Sequence, residues 1–378
     1  MKGDDIMQMK MMTGVLAACL FAGGAGAIVA NPDAQLTTQT EPKQRGAHTD
    51  PMLYERIFEA AEHGDATAMA QLLDEGGDIN ERSRWRATQG ATPIMIAAAQ
   101  NPSREMIELL IERGAKLSAR DGQGRSVLMY AMQREHDQGV TEMLIKAGAK
   151  VQARDAMGQS VLMYACEHAS DVGVIELLLK HGARVDARDG EGRTPLMYAV
   201  RRERDDGVIS MLVEHGASID ERDAFDRDVL INAAAYARSG EVFDTLVDLG
   251  ADVHARLTEE SLRKNPNANA GDTVLSFACV LNPNPEALKA LVRHGADINA
   301  EVVYVDFRPR KGGAAFTVRT TSHLFLVAAH GQSPEVLDAA LDAGATHTGE
   351  GSPLEAAKIN SGLRRSDAFW RLNDLSYD

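Results

Sequence analysis

A six-residue phrase returns along this chain at a fixed interval. Ser126 to Ala131 reads SVLMYA, Ser160 to Ala165 repeats it, and Thr194 to Ala199 reads TPLMYA, so successive copies open 34 residues apart. The register extends back to Thr92 and forward to Asp228. A second phrase keeps step: LLIERGA ends at Ala115, MLIKAGA at Ala149, LLLKHGA at Ala183 and MLVEHGA at Ala217. Self-similarity at this period predicts stacked supersecondary units, each too small to bury its own apolar face. Growth in one dimension also frees a 378-residue chain from needing one globular core of that size.

Within a unit the residues read as two helices. Thr194 and Pro195 suit a helix start, because the hydroxyl accepts from a free backbone N–H and proline has none to leave unpaired. Leu196 and Ala199 share a face, the alanine letting a neighbouring helix approach. Ile175, Leu178 and Leu179 form the apolar stripe of a second helix, and Gly182 ends it where a left-handed residue is needed. The distance from the opening Thr, Ser or Asp to this glycine is 22 residues in every unit, from Thr92–Gly114 to Ser322–Gly344.

Period alone also fits tetratricopeptide repeats; the motif separates the two. TPLMYA resembles the ankyrin phrase TPLHxA, and Leu177 to Asp189, LLLKHGARVDARD, resembles the ankyrin run LLxxGADVNAxD. The resemblance covers roughly residues 52–378 and implies an all-α ankyrin-repeat solenoid of helix-turn-helix units with projecting finger loops. Residues 51–378 then form the repeat domain, about eight repeats plus a C-terminal cap. Residues 52–80 read as a divergent first unit, and Ser352 to Ala357 opens the last, with Phe369, Trp370 and Leu372 sealing the end. Two departures stand out. The repeat is one residue longer than the usual 33, the extra length falling in inter-helix turns such as Arg134 to Gly139. The usual His of TPLH is Met129, Met163 and Met197, where thioether packing is expected in place of a hydrogen-bonding network.

The net charge of −15 argues against general binding to nucleic acid or anionic membranes. No nucleophile elbow, phosphate-cradling glycine loop or His/Cys cluster at metal spacing occurs, so the chain reads as a non-enzyme with no cofactor, metal or small-molecule substrate. His181, His215 and His294 precede terminal glycines, where a cation at a helix C-terminus is favourable. Cys166 and Cys279 hold the same position three repeats apart, about 25 Å or more, beyond disulfide reach.

Residues 11–30 carry no charge, follow Lys10 and contain, near their end, Ala25-Gly26-Ala27, which fits a signal-peptide cleavage site; residues 1–30 are therefore expected to be a secretory signal and 31–50 a polar linker. Asp4 and Asp5 suit a leader poorly, so translation from Met7 or Met9 is open. So are an uncleaved anchor and a lipidated Cys19 in Leu16-Ala17-Ala18-Cys19. The membrane is a partner only in those two cases.

The standard interval from terminal glycine to the next Thr or Ser is 12 residues, as from Gly148 to Ser160. It lengthens at Gly76–Thr92, Gly250–Thr273 and Gly295–Ser322. These excursions fall in the projecting loops, where solenoids bind, and their stretches 81–90, 256–270 and 300–321 carry a net +5 within an acidic chain. Residues 302–307 and 315–320 predict a β-hairpin around Pro309 to Gly313, presenting Tyr304, Phe307, Arg308, Arg310 and Lys311. The first excursion presents Arg84, Trp85 and Arg86, an arginine-flanked aromatic of hot-spot composition. The ankyrin resemblance implies contacts from finger tips and first-helix ends. That marks Arg125, Met157, Arg193, Phe225 and Arg227 in the fingers, and Arg134, His168, Arg201, Arg202 and Tyr236 at helix ends. This strip looks basic, so an acidic protein surface is the expected partner, and reversing Arg193, Arg201 and Arg227 to Glu is expected to abolish capture without unfolding. Arg120, Arg154, Arg188 and Arg222, each before an aspartate, are expected to form repeat-to-repeat ion pairs.

Together these features describe an exported, monomeric bacterial ankyrin-repeat protein of the periplasm that binds another protein as an adaptor or protective accessory. An immunity-type inhibitor of a toxin or envelope enzyme, and a membrane-tethered structural organiser, are the alternatives.

Overall fold

The computed structural model describes residues 51–375, apart from 89, 101–102, 134–137, 170, 203–206, 266–269, 311–312, 348–351 and 365. The expected signal, linker and Cys19 lie outside the described residues. Paired helices follow one another: α1 (Pro51–His63) with α2 (Ala66–Asp74), α3 (Pro93–Gln100) with α4 (Arg104–Glu112), α5 (Val127–Ala131) with α6 (Gln138–Lys146), α7 (Val161–His168) with α8 (Val172–Lys180), α9 (Pro195–Arg201) with α10 (Val208–Glu214), and α11 (Val229–Tyr236) with α12 (Glu241–Asp248). A single helix α13 (Glu259–Lys264) precedes α14 (Val274–Leu281) and α15 (Pro285–Arg293). Strands β1 (Val302–Arg310) and β2 (Gly313–Thr321) then lead to α16 (His323–His330), α17 (Pro334–Asp342), α18 (Pro353–Ile359) and α19 (Asp367–Leu375).

The repeated Ser and Thr cap the first helices. Ser126, Ser160, Thr194, Thr273 and Ser322 each accept a hydrogen bond from the backbone N–H three residues on, and Asp228 does the same for α11. Such caps contribute about 1 kcal/mol each. Met129 and Met163 do more than pack: their sulfurs accept from the N–H of Ser126 at 3.4 Å and of Ser160 at 3.3 Å, closing the capping box from the other side.

First helices stack on first helices and second helices on second helices. The inner row is buried almost all round; Pro195 to Val200 are all buried. The outer row is amphipathic, Ile175 and Leu178 buried while Glu176 and Lys180 face solvent. At Gly182 φ is 81°, and the N–H of Ala183 returns to Leu178 O at 2.9 Å, turning the chain outward. Cys166 and Cys279 are buried in this core and are not joined in a disulfide. No helix among the described residues is long and apolar enough to cross a membrane.

The excursions have structure of their own. The first holds one 3-10 turn at Arg86–Thr88. The second contains α13, with Thr258 as its N-cap, acidic residues in its first turn and basic ones in its last. The third is the expected hairpin, longer than read: Val302 pairs with Thr321 and Arg310 with Gly313. Helix α13 lies against β1, so the second and third excursions support one another.

Candidate protein-binding surface

Each regular finger is a turn built around an aspartate. Asp189 Oδ1 accepts from the backbone N–H of Glu191 at 2.9 Å and of Arg193 at 2.8 Å; Oδ2 accepts from Arg193 Nε and from the Tyr198 hydroxyl, both at 2.8 Å. Asp121 repeats the arrangement with Arg125 and Tyr130. In the Asp155 finger Tyr164 is kept and Gln159 replaces the arginine. Asp223 keeps Arg227, and Asn232 stands where the tyrosine would be. Burial pushes the phenols of Tyr130, Tyr164 and Tyr198 well above their ordinary range, which holds them as donors to these carboxylates.

Neighbouring fingers interlock through backbone. The N–H of Ala156 donates to Gln123 O at 2.9 Å, Gly190 to Met157 O at 2.8 Å, and Ala224 to Glu191 O at 2.8 Å. This close approach needs a residue without Cβ in the left-handed region. Gly124 has φ 77°, and a Cβ there would lie 2.8 Å from Ala156 N. Asp226, with φ 63°, takes the same place in the last regular finger; the following unit is interrupted, and its carboxylate accepts from Ser261 Oγ at 2.9 Å instead.

Arg82 and two of the recurring arginines before the aspartates, Arg154 and Arg188, form a ladder, but to carbonyls. Arg82 Nη1 donates to Arg120 O at 2.6 Å, Arg188 to Arg222 O at 2.7 Å, and Arg154 to Arg188 O. The expected repeat-to-repeat ion pairs are corrected in part: the aspartates beside these arginines are taken up by their own fingers, while Arg188 meets Glu221 of the next finger and Arg222 meets Asp228, the cap that opens the next unit, at 3.6 Å.

The clamp also relocates several predicted contact residues. Arg125, Arg193 and Arg227 are not free cations on the finger face; each is bound to its aspartate at 2.7–2.8 Å, and the Arg227 side chain is 5% exposed. Reversing Arg193 and Arg227 to Glu would set carboxylate against buried carboxylate and attack the fold, so the expectation that such a triple variant stays folded is corrected. The cause is the turn, which brings residues four apart face to face. Tyr304 is likewise corrected: it is 4% exposed, its ring 6.1 Å from Phe325 and 6.3 Å from His330, because the hairpin base packs into the stack beside Val302 and Val305.

The other residues have these positions. Met157 projects, 61% exposed, from a finger tip, and half-buried Phe225 lies under the Arg227 guanidinium at 4.9 Å. Trp85 is half-buried against Phe58 at 5.4 Å, while Arg84 is exposed over the Tyr54 ring at 4.7 Å and Arg86 is exposed. Phe307, Arg308 and Arg310 belong to the distal half of β1, paired through backbone with Phe316, Ala315 and Gly313. Arg134 and Lys311 lie outside the described residues.

At the helix ends the structure does bring the predicted residues together. The Arg201 guanidinium lies 4.6 Å from the centre of the Tyr236 ring and 6.0 Å from that of Tyr198. Arg202 Nε donates to Glu167 O. His168 sits 5.9 Å from the Tyr164 ring and 3.7 Å from the Glu167 carboxylate. Its pKa is lowered, chiefly by burial, with Arg202 adding to this and Glu167 opposing it. Sequence reasoning missed the organising role of Asp121, Asp155, Asp189 and Asp223. The signal was present: an aspartate recurs nine residues before the tyrosine of the LMYA phrase in three successive units.

The family model for ankyrin repeats in three copies matches residues 57–155, 137–223 and 162–257, and the single ankyrin-repeat model matches residues 270–301. No curated protein matches the chain. The matched segments cover more than half of the sequence and coincide with the capped helix pairs and interlocked fingers; the chain belongs to the ankyrin-repeat family.

Proposed function

We propose that this protein is a non-enzymatic scaffold of the bacterial envelope that binds a partner protein across its finger tips and concave helix ends, serving as an adaptor or protective accessory. Ankyrin repeats generally mediate protein–protein interaction. The observation that carries the reading is the pairing of a rigid finger row with exposed apolar groups: Met157 stands at a tip whose carbonyl is bonded to the next finger, and Tyr236 is 39% exposed at the end of α11. A pre-ordered surface loses little entropy on association, and aromatic and Met side chains supply contact energy. Export rests on residues 11–30 and the Ala25-Gly26-Ala27 motif.

The test is capture from an envelope extract by the tagged full chain and by a variant carrying Met157→Ser, Phe225→Ser and Tyr236→Ser. Loss of the captured proteins with the variant is the expected result. Recovery of the same proteins by both baits would discard this surface. Mass spectrometry of the purified protein is expected to find processing after Ala27, and an intact N-terminus would overturn export.

A further inference from the structure

We infer that Arg201, set over the Tyr236 ring with the Tyr198 ring 6.0 Å away, is the anchor for an acidic side chain in a segment of the partner protein. The inference deepens, and rests on, the scaffold reading above. Arg125, Arg193, Arg227 and Arg256 each hold a carboxylate at 2.7–2.8 Å, and Arg222 meets Asp226 at 3.4 Å. Among the described residues Arg201 has no carboxylate partner; its contacts are the two rings.

A guanidinium is planar, with all its N–H donors in the plane. Held against tyrosine faces, it keeps its ring-side attraction and leaves those in-plane donors for a ligand that accepts two parallel hydrogen bonds, the geometry of a carboxylate. Arg202 is exposed beside Arg201 and tied by Nε to the Glu167 carbonyl, while the Glu167 carboxylate is directed to His168. The same surface offers apolar contact at Tyr236 and at the Met157 and Phe225 tips. The partner segment therefore carries a Glu or Asp flanked by apolar residues.

The probe is a displayed library of random dodecapeptides, selected on the full chain and resynthesised with blocked termini. Retained peptides are expected to share an acidic residue beside an apolar one. Changing that residue to its amide, or using R201K, is expected to weaken binding at least about tenfold, since lysine keeps the charge but not the flat fork. Y236L supplies a second variant at an exposed ring, and both variants are expected to unfold thermally like the parent because neither breaks an ion pair. Peptides without acidic residues, R201K binding as tightly as the parent, no retained peptide, or retention of inorganic phosphate in their place would each overturn the assignment. The scaffold reading is tested apart from this one by a Met157→Ser, Phe225→Ser pair, which leaves Arg201 and both rings intact, so it can stand while this one falls.

Discussion

From α5 to α11 every finger is clamped by its own aspartate, and adjacent tips are bonded backbone to backbone. From α12 to α16 those tips give way to α13 and the hairpin, yet the units still stack. The electrostatics change hands there: Asp272 occupies the position before Thr273 that holds Arg125, Arg193 or Arg227 elsewhere, and it receives Arg256 at 2.8 Å and the N–H of Val303 at 3.0 Å. One rung of the ladder survives, Arg256 Nη2 donating to Glu301 O at 2.9 Å. A buried histidine is added: His323 Nδ1 donates to Ile298 O and Nε2 meets Thr273 Oγ1, both at 3.0 Å, tying consecutive units. Stacking thus depends on the inner helices, while the finger side accepts different solutions provided its polar groups are paired.

The comparison breaks most directly at its carboxylates. Asp223→Ala leaves a nearly sealed Arg227 unpaired and two turn N–H groups without an acceptor; a loss of about 3–5 kcal/mol is expected in urea unfolding. Asp272→Ala is expected to cost about 1–2 kcal/mol, since Arg256 is 46% exposed and can hydrate. Equal losses would show that the two regions are not held differently.

Acid should weaken the interrupted region. Burial lowers the His323 pKa from 6.5 to about 4, so as pH falls the unfolded chain takes up the proton before the folded one. The stabilisation is complete above about pH 6.5, declines towards pH 4 and levels off below it, a loss on the order of 3 kcal/mol. His323→Gln is expected to flatten the stability profile across that window, and a profile identical to the parent's would remove His323 as its source.

The smallest effect sharpens the view of the tips. Gly124→Ala combines a positive φ with a Cβ too near Ala156 N, and about 1–2 kcal/mol of destabilisation is expected. Asp226→Gly relieves strain as it loses the Ser261 bond, so its melting temperature should stay near the parent's. A large drop for Asp226→Gly would mean that the last finger is locked as tightly as the rest.

Capped helices, terminal glycines and the hairpin were legible because each rests on local rules: a hydroxyl beside a helix start, a residue with φ above zero, alternation across a turn. The finger arginines were misread because their periodicity is equally that of a contact surface and of an internal clamp, and the spacing of Asp189 to Arg193 acquires meaning only in the folded turn. Helix α13 was overlooked at six residues, too short for apolar periodicity, although Thr258-Glu259-Glu260 is a plain start signal. Tyr304 shows the other limit. Strand alternation gives two faces, and only packing against Phe325 and His330 decides which one is inward.

The acceptors of the arginine ladder are peptide carbonyls, which every residue possesses whatever its side chain. A whole unit duplicated or deleted in register therefore finds its partner already present, with no second substitution required. Arrays joined in this manner can change length in one genetic event, and the reach of the surface can be altered without redesigning its joints.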